Sequence, residues 1–228
     1  MRAIVAARFA GETASAVLTC VCRNLANEAR CQGCGDAPMQ SWVSEMCQFT
    51  KSVAPKQLVG MGYEGFYGVT ASAAQQKLNP ADWASREGQN FVANMQDPCI
   101  DYVGMHVWPD NWNLKTPEFQ KSFIESHLRD VAAAIPGKPV LLEEFGKITE
   151  DKAQTVRNKY FTTAQAVAQE NAKAGGPLMG TLFWHWYDEG MGPGQYGVHK
   201  SDSTWSLITD NVNFFNALFD SSRNLCPA

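Results

Sequence analysis

Residues 139–147 read PVLLEEFGK: a proline, a run of strand-type apolar residues, two glutamates, then Phe145, Gly146 and Lys147. A short apolar run that ends on charge is what a strand buried on both faces looks like when its end opens to solvent. The flanks decide what kind of sheet it belongs to. Upstream, Thr116 as cap and Pro117 at the first position open a helix predicted over 117–135, closed by Pro136-Gly137. Downstream, an Ala-rich helix is predicted over 150–174, ended by Gly175-Gly176, followed by a strand over 178–184 and a helix over 203–219.

The same alternation runs toward the N-terminus. A strand is predicted over 100–107, ending at His106 and Trp108, and another over 58–62. Between them the chain reads as irregular up to Pro80 and partly helical over 83–95. Residues 36–53 have helical spacing, with Trp42, Val43, Met46, Phe49 and Val53 on one face. An apolar run over 16–25 leads into Asn27 and Glu28, and residues 1–9 read as the tail of a helix. Five strands, each followed by helix-forming sequence, imply a parallel sheet covered by helices.

Glu28, His106, Glu144 and Trp184 all fall where a strand ends. In a doubly wound sheet a Gly-rich phosphate loop is expected, and none is present, so the pattern points to an α/β fold of the (β/α)8 barrel type, whose functional residues gather at the C-terminal rim. Two carboxylates facing one gap at that rim are the minimal equipment for cleaving a glycosidic bond.

Composition narrows the classes further. The 228 residues are 45% hydrophobic and 18% charged with a formal net charge of −4, which suits one globular domain over 1–228. No basic stripe marks a nucleic-acid partner. No apolar stretch approaches the ~20 residues that cross a bilayer, and Arg8 and Glu12 interrupt the start where a signal peptide needs an unbroken apolar core. Most of the seven tryptophans lie in polar, turn-rich settings such as WPDNW at 108–112 and FWHWYDEG at 183–190, where an indole is poorly placed as pure core and well placed to stack on a sugar ring.

NEARCQGC, EGFYG, HVWPDNW, EEFGK and LFWHWYDEG, in this order, resemble the sequence markers of the endo-β-1,4-mannanases of glycoside hydrolase family 5, of the plant, algal and fungal type. The resemblance runs from about Leu25 to about Asp188. It implies Glu28 as general acid/base, Asn27 as a partner of the substrate's 2-hydroxyl, Glu144 as nucleophile, His106 as a hydrogen-bonding cleft residue and Trp184 as the floor under the sugar. Trp108 stands where relatives often carry Tyr, and Trp112 and Glu64 are further substrate-binding candidates. Of Glu143 and Glu144, only one can face the cleft, because successive strand side chains point opposite ways. The implied activity is a retaining endo-β-1,4-mannanase acting on mannan, galactomannan or glucomannan without a cofactor. An endo-β-1,4-glucanase of the same family, or a non-catalytic carbohydrate-binding relic, are the alternatives.

His127, His185 and His199 share no ligand spacing with acids or cysteines, so no metal is expected. The seven cysteines include a C-V-C at 20–22 and a C-Q-G-C at 31–34, which together superficially pass for a zinc knot. The resemblance instead implies a Cys31–Cys34 disulfide and a secreted parent protein, with Cys47, Cys99 and Cys226 as buried thiols or further partners. A full barrel takes ~250 residues, and three βα units of ~30 residues each are expected before the acid/base of this family. Only 27 residues precede Glu28. The expectation is an incomplete barrel, about five of eight βα units, corresponding to strands four to eight.

Overall fold

A computed structural model describes residues 22–112, 116–150, 152–187 and 195–218. The expected helix tail at 1–9, the start of the run at 16–25, Cys20, Cys226 and the end of the FWHWYDEG segment lie outside them. Within them the chain alternates strand and helix: β1 (Cys22–Asn27), α1 (Asp36–Val53), β2 (Leu58–Gly62), α2 (Ala73–Gln76), a 3₁₀ turn (Asp82–Arg86), α3 (Phe91–Met95), β3 (Val103–Val107), α4 (Pro117–Ala134), β4 (Val140–Phe145), α5 (Thr155–Lys173), β5 (Leu178–Phe183) and α6 (Ser203–Leu218). Every strand pairing is parallel, β1 with β2 and β3 with β4 with β5. Asp101 joins the two groups, its N–H donating to the Val59 carbonyl at 2.7 Å while its carboxylate accepts from the Val59 N–H at 2.8 Å.

Parallel strands put all their C-terminal ends on one rim. Asn27 lies opposite Gly62, and His106 opposite Glu144. Below the rim, Val59, Met61, Val103, Met105, Val107, Val140, Leu142 and Leu178 are buried, each contributing roughly 1.5–3 kcal/mol on leaving water. The helices cover the outer face, α5 packing on β5 and on both α4 and α6.

Local signals set the helix ends. The Thr116 hydroxyl accepts from the Phe119 N–H at 3.1 Å, with Pro117 at the first position, as the cap pattern requires. The fifth helix starts later than expected, because Gln154 adopts a left-handed backbone (φ 58°) just before Thr155. The expected apolar stripe on α1 needs correction. Met39, Val43 and Cys47 form the buried face, while Phe49 and Val53 are exposed. Apolar spacing gives the angle of a stripe and not the element that covers it.

Candidate active site

Glu28 follows β1 directly. Its N–H donates to the Gly62 carbonyl at 2.6 Å, and its φ of 46° is left-handed, a region that costs a residue with a Cβ roughly 1–2 kcal/mol. The turn swings the carboxylate over the rim toward β3. There His106, buried on β3, presents Nδ1 at 2.9 Å from Glu28 Oε1 and 3.6 Å from Glu144 Oε2. One carboxylate oxygen each of Glu28 and Glu144 and a ring nitrogen of His106 all lie within 4.8 Å of one another. Two acids 116 positions apart in the chain therefore share one gap.

The two adjacent glutamates of β4 go different ways. The strand shifts register against β5 between Leu142 and Phe145, and β3 shifts against β4 between Met105 and His106, which aligns Glu144 with His106. Glu144 enters the gap. Glu143 turns to the layer beneath, where Asn24 Nδ2 donates to its Oε1 at 3.2 Å and Tyr102 donates to Asn24 Oδ1 at 2.7 Å. Gly104 makes room for it, since a Cβ there would overlap Glu143 Oε2 and the Met61 carbonyl.

Burial raises the Glu144 carboxyl above the usual range. His106 pulls it back, Glu28 pushes it up again, and the neighbouring Trp108 indole lowers it. Trp108 is held edge-on against Tyr196, ring centroids 5.3 Å apart, and offers little face to a ligand. Trp184, just past β5, is 48% exposed at the same rim, and Asn27 is exposed beside Glu28. The Trp184 N–H donates to the Phe145 carbonyl at 2.8 Å, which fixes it next to the Glu144 segment.

Two expected cleft residues are not available to a sugar. Trp112 is 6% exposed and packs among Phe66, Phe119 and Phe123, so its faces belong to the core. Glu64 is 1% exposed, and its carboxylate is gripped by both the Nε and Nη2 of Arg30 and by Gln89 Nε2 at 3.2 Å. A buried carboxylate with that many donors anchors Arg30 and does not greet a ligand. Arg30 itself, two residues after Glu28, carried no assigned role. It lies over Phe66 and Trp83, 5.5 and 5.2 Å from the ring centroids, and fixes the loop that carries Glu28.

The structure joins Cys31 to Cys34 and Cys47 to Cys99, and leaves Cys22 as a free thiol. Among the described residues, the group whose donor atoms converge as metal ligands do is Glu28, His106 and Glu144 themselves, with no cysteine in it.

A sequence profile described as GH family 5 beta-mannosidase-like matches residues 14–206. The chain belongs to this family. Mannan endo-1,4-beta-mannosidase 1 of Oryza sativa subsp. japonica is 33% identical over 219 residues, which cover 90% of this chain and 50% of that protein. Mannan endo-1,4-beta-mannosidase 3 of Arabidopsis thaliana is 32% identical over 209 residues, covering 88% and 49%. The family 5 chain thus spans about half the length of the curated relatives it matches. Its fold is that of the endo-1,4-beta-mannanase from Rhizomucor miehei (TM-score 0.67, 23% identity, 86% of this chain and 52% of that one) and of the endo-beta-1,4-mannanase from Thermotoga petrophila (TM-score 0.68, 23% identity, 89% and 45%).

Proposed function

We propose that this chain carries the catalytic pair of a retaining endo-β-1,4-mannanase, and that its five strands are an arc of a (β/α)8 barrel. The observation that carries the reading is the approach of Glu28 and Glu144, with an oxygen of each inside the same 4.8 Å cluster. Retaining glycosidases hold their carboxyl groups about 5–5.5 Å apart, whereas inverting ones leave about 6.5–9.5 Å for a water. The names of the plant relatives supply the substrate class, a mannan-type polysaccharide.

In this reading ionised Glu144 attacks the anomeric carbon as the bond to the leaving oxygen breaks, and Glu28 gives its proton to that oxygen. Glu28 then takes a proton from water, whose oxygen displaces Glu144 and restores the original configuration. Trp108 and His106 favour the charged form of Glu144 against burial, which keeps the nucleophile available. Exposed Trp184 offers an indole face to the sugar at the cleavage point, and Asn27 lies within reach of its 2-hydroxyl. The two disulfides among the described residues suit a secreted parent protein.

A 2-deoxy-2-fluoro-mannoside with an activated leaving group traps the glycosyl-enzyme, and peptide mapping by mass spectrometry locates the label. Label on Glu144, with turnover of mannan and none of cellulose, is the expected result. Label on Glu143, or on no residue of the folded full chain, overturns the assignment.

A further inference from the structure

The gap brings two carboxylates together without a permanent cation between them. Among the described residues, Arg30 pairs with Glu64 and Glu87, Lys147 pairs with Asp110 and Glu150, and the one basic side chain that reaches Glu28 or Glu144 is His106. His106 serves both at once, its Nδ1 lying 2.9 Å from Glu28 Oε1 and 3.6 Å from Glu144 Oε2, with the ring buried. A single proton on Nδ1 satisfies one carboxylate and leaves the other facing it. The like charges are felt across the gap: burial first, and Glu28 with it, hold the Glu144 carboxyl above its usual range against the pull of His106.

An imidazole nitrogen and two carboxylate oxygens converging on one point are also a ligand set. Zn²⁺ takes His nitrogen and carboxylate oxygen at about 2.0–2.2 Å, which sets the corners of its tetrahedron about 3.4 Å apart. Two of the edges here are 2.9 and 3.6 Å, and one donor atom from each of the three residues lies within 4.8 Å of the others. His106 is fixed by burial and Glu144 is carried on β4, while the Glu28 side chain, the most exposed of the three, is free to close the remaining distance. The fourth corner is left for water, as in zinc sites with three protein ligands. Mg²⁺ and Ca²⁺ suit the set less well, because they favour oxygen ligands alone and in larger number, whereas an imidazole selects the later first-row ions. We propose that Glu28, His106 and Glu144 form a site for a divalent ion of the Zn²⁺ class, and that this ion acts there as an inhibitor and not as a cofactor.

Binding removes what the proposed chemistry needs. Whichever of Glu28 and His106 carries the proton between them, that proton leaves to solvent when the ion takes its place. Glu28 then has none to give to a leaving oxygen. Glu144 has an oxygen tied to the ion instead of turned toward an anomeric carbon. Ion and sugar therefore exclude each other from one gap. The inhibition rests on Glu28 and Glu144 being the catalytic pair, whereas the binding of the ion does not.

Calorimetric titration of the full chain with Zn²⁺ tests the site without turnover. One tightly held ion per chain is expected, with affinity falling at least about tenfold in Glu28→Gln, in Glu144→Gln and in His106→Gln. The two glutamate variants keep the side-chain shape, so they decide the matter even where loss of the buried imidazole unfolds the chain. Cys22→Ser removes the free thiol, and His185→Ala/His199→Ala removes the other described histidines except His127, whose two nitrogens both face carbonyls. Both controls are expected to bind Zn²⁺ as the unaltered protein does. On mannan, Zn²⁺ is expected to inhibit competitively and reversibly on chelation, and Mg²⁺ at the same concentration to leave the rate unchanged. Undiminished affinity in Glu28→Gln and Glu144→Gln, loss of the ion in either control, or inhibition that excess mannan does not relieve would overturn the proposal. A folded full chain that hydrolyses no mannan would instead strike the catalytic reading, with the calorimetry still deciding the metal site.

Discussion

Glu143 keeps one carboxyl oxygen buried without a hydrogen-bond partner, close to the Met61 carbonyl, while the other accepts from Asn24. An ionised carboxylate tolerates neither the missing donor nor a facing carbonyl, whereas a carboxylic acid turns its O–H toward that carbonyl. Burial accordingly pushes the group up from 4.5 to about 7, against smaller lowering effects from His106, Asn24 and Tyr102. Because the folded value is raised, the stability it contributes is complete below about pH 4.5 and drains away as pH climbs to about 7. Over that window the loss is on the order of 3 kcal/mol. Glu143→Gln keeps the shape and removes the titration. Urea unfolding at pH 4.5 and pH 8 is expected to show the variant near the unaltered protein at the lower pH and a few kcal/mol more stable at the higher. An equal gap between the two proteins at both values would mean that Glu143 is ionised in the fold.

Strand ends and helix caps were the part of the architecture legible in the sequence, because each is written locally. The strand 58–62 and the Thr116-Pro117 helix start occur where the pattern puts them, and Glu28, His106 and Glu144 are brought together as the reading of parallel strand ends implies. What the sequence hid depends on which surfaces meet. Trp112 sits in the same WPDNW run as Trp108, yet three phenylalanines from other elements bury it. Arg30 and Glu64 read as separate residues 34 apart until the loops close. Asp110 and Lys147 stood in quoted motifs with nothing in either to show that they touch. Gly146 illustrates how tightly these elements meet: a Cβ would stand 2.7 Å from the Trp184 carbonyl and 2.9 Å from the Trp108 ring. The first neighbour is backbone and cannot swing aside. Gly146→Ala is expected to cost about 1–3 kcal/mol in stability, and to lower kcat by about a hundredfold. Thermal unfolding and mannan hydrolysis measured on the same sample check this; full activity would show that the rim loops yield without moving Glu144.

At the scale of the molecule, the two disulfides among the described residues divide their work by what they span. Cys47 on α1 and Cys99 ahead of β3 are 52 positions apart, and the bond closes a loop that contains β2, α2 and α3. The chain-entropy relation gives such a loop about 4 kcal/mol of stabilisation, against about 2 kcal/mol for the three-residue spacing of Cys31–Cys34. The ties around the long bridge are structural: Asp97 accepts from Ser44 and Gln40 of α1, and Lys51 of α1 reaches Asp101 at 2.5 Å. The short bridge instead lies three residues past Glu28, and its Cys31 N–H donates to the Glu87 carbonyl at 2.8 Å, in the loop that Arg30 also holds. Removing the long bridge by Cys47→Ala/Cys99→Ala should therefore lower unfolding stability by several kcal/mol and leave kcat within about twofold below the transition. Cys31→Ala/Cys34→Ala should cost only about half as much stability, about 2 kcal/mol, while lowering kcat at least tenfold by loosening the acid/base. Denaturant titrations with and without reductant, run beside initial rates on mannan, separate the two; equal losses of activity in both variants would mean that the fold transmits strain to Glu28 from either bridge alike.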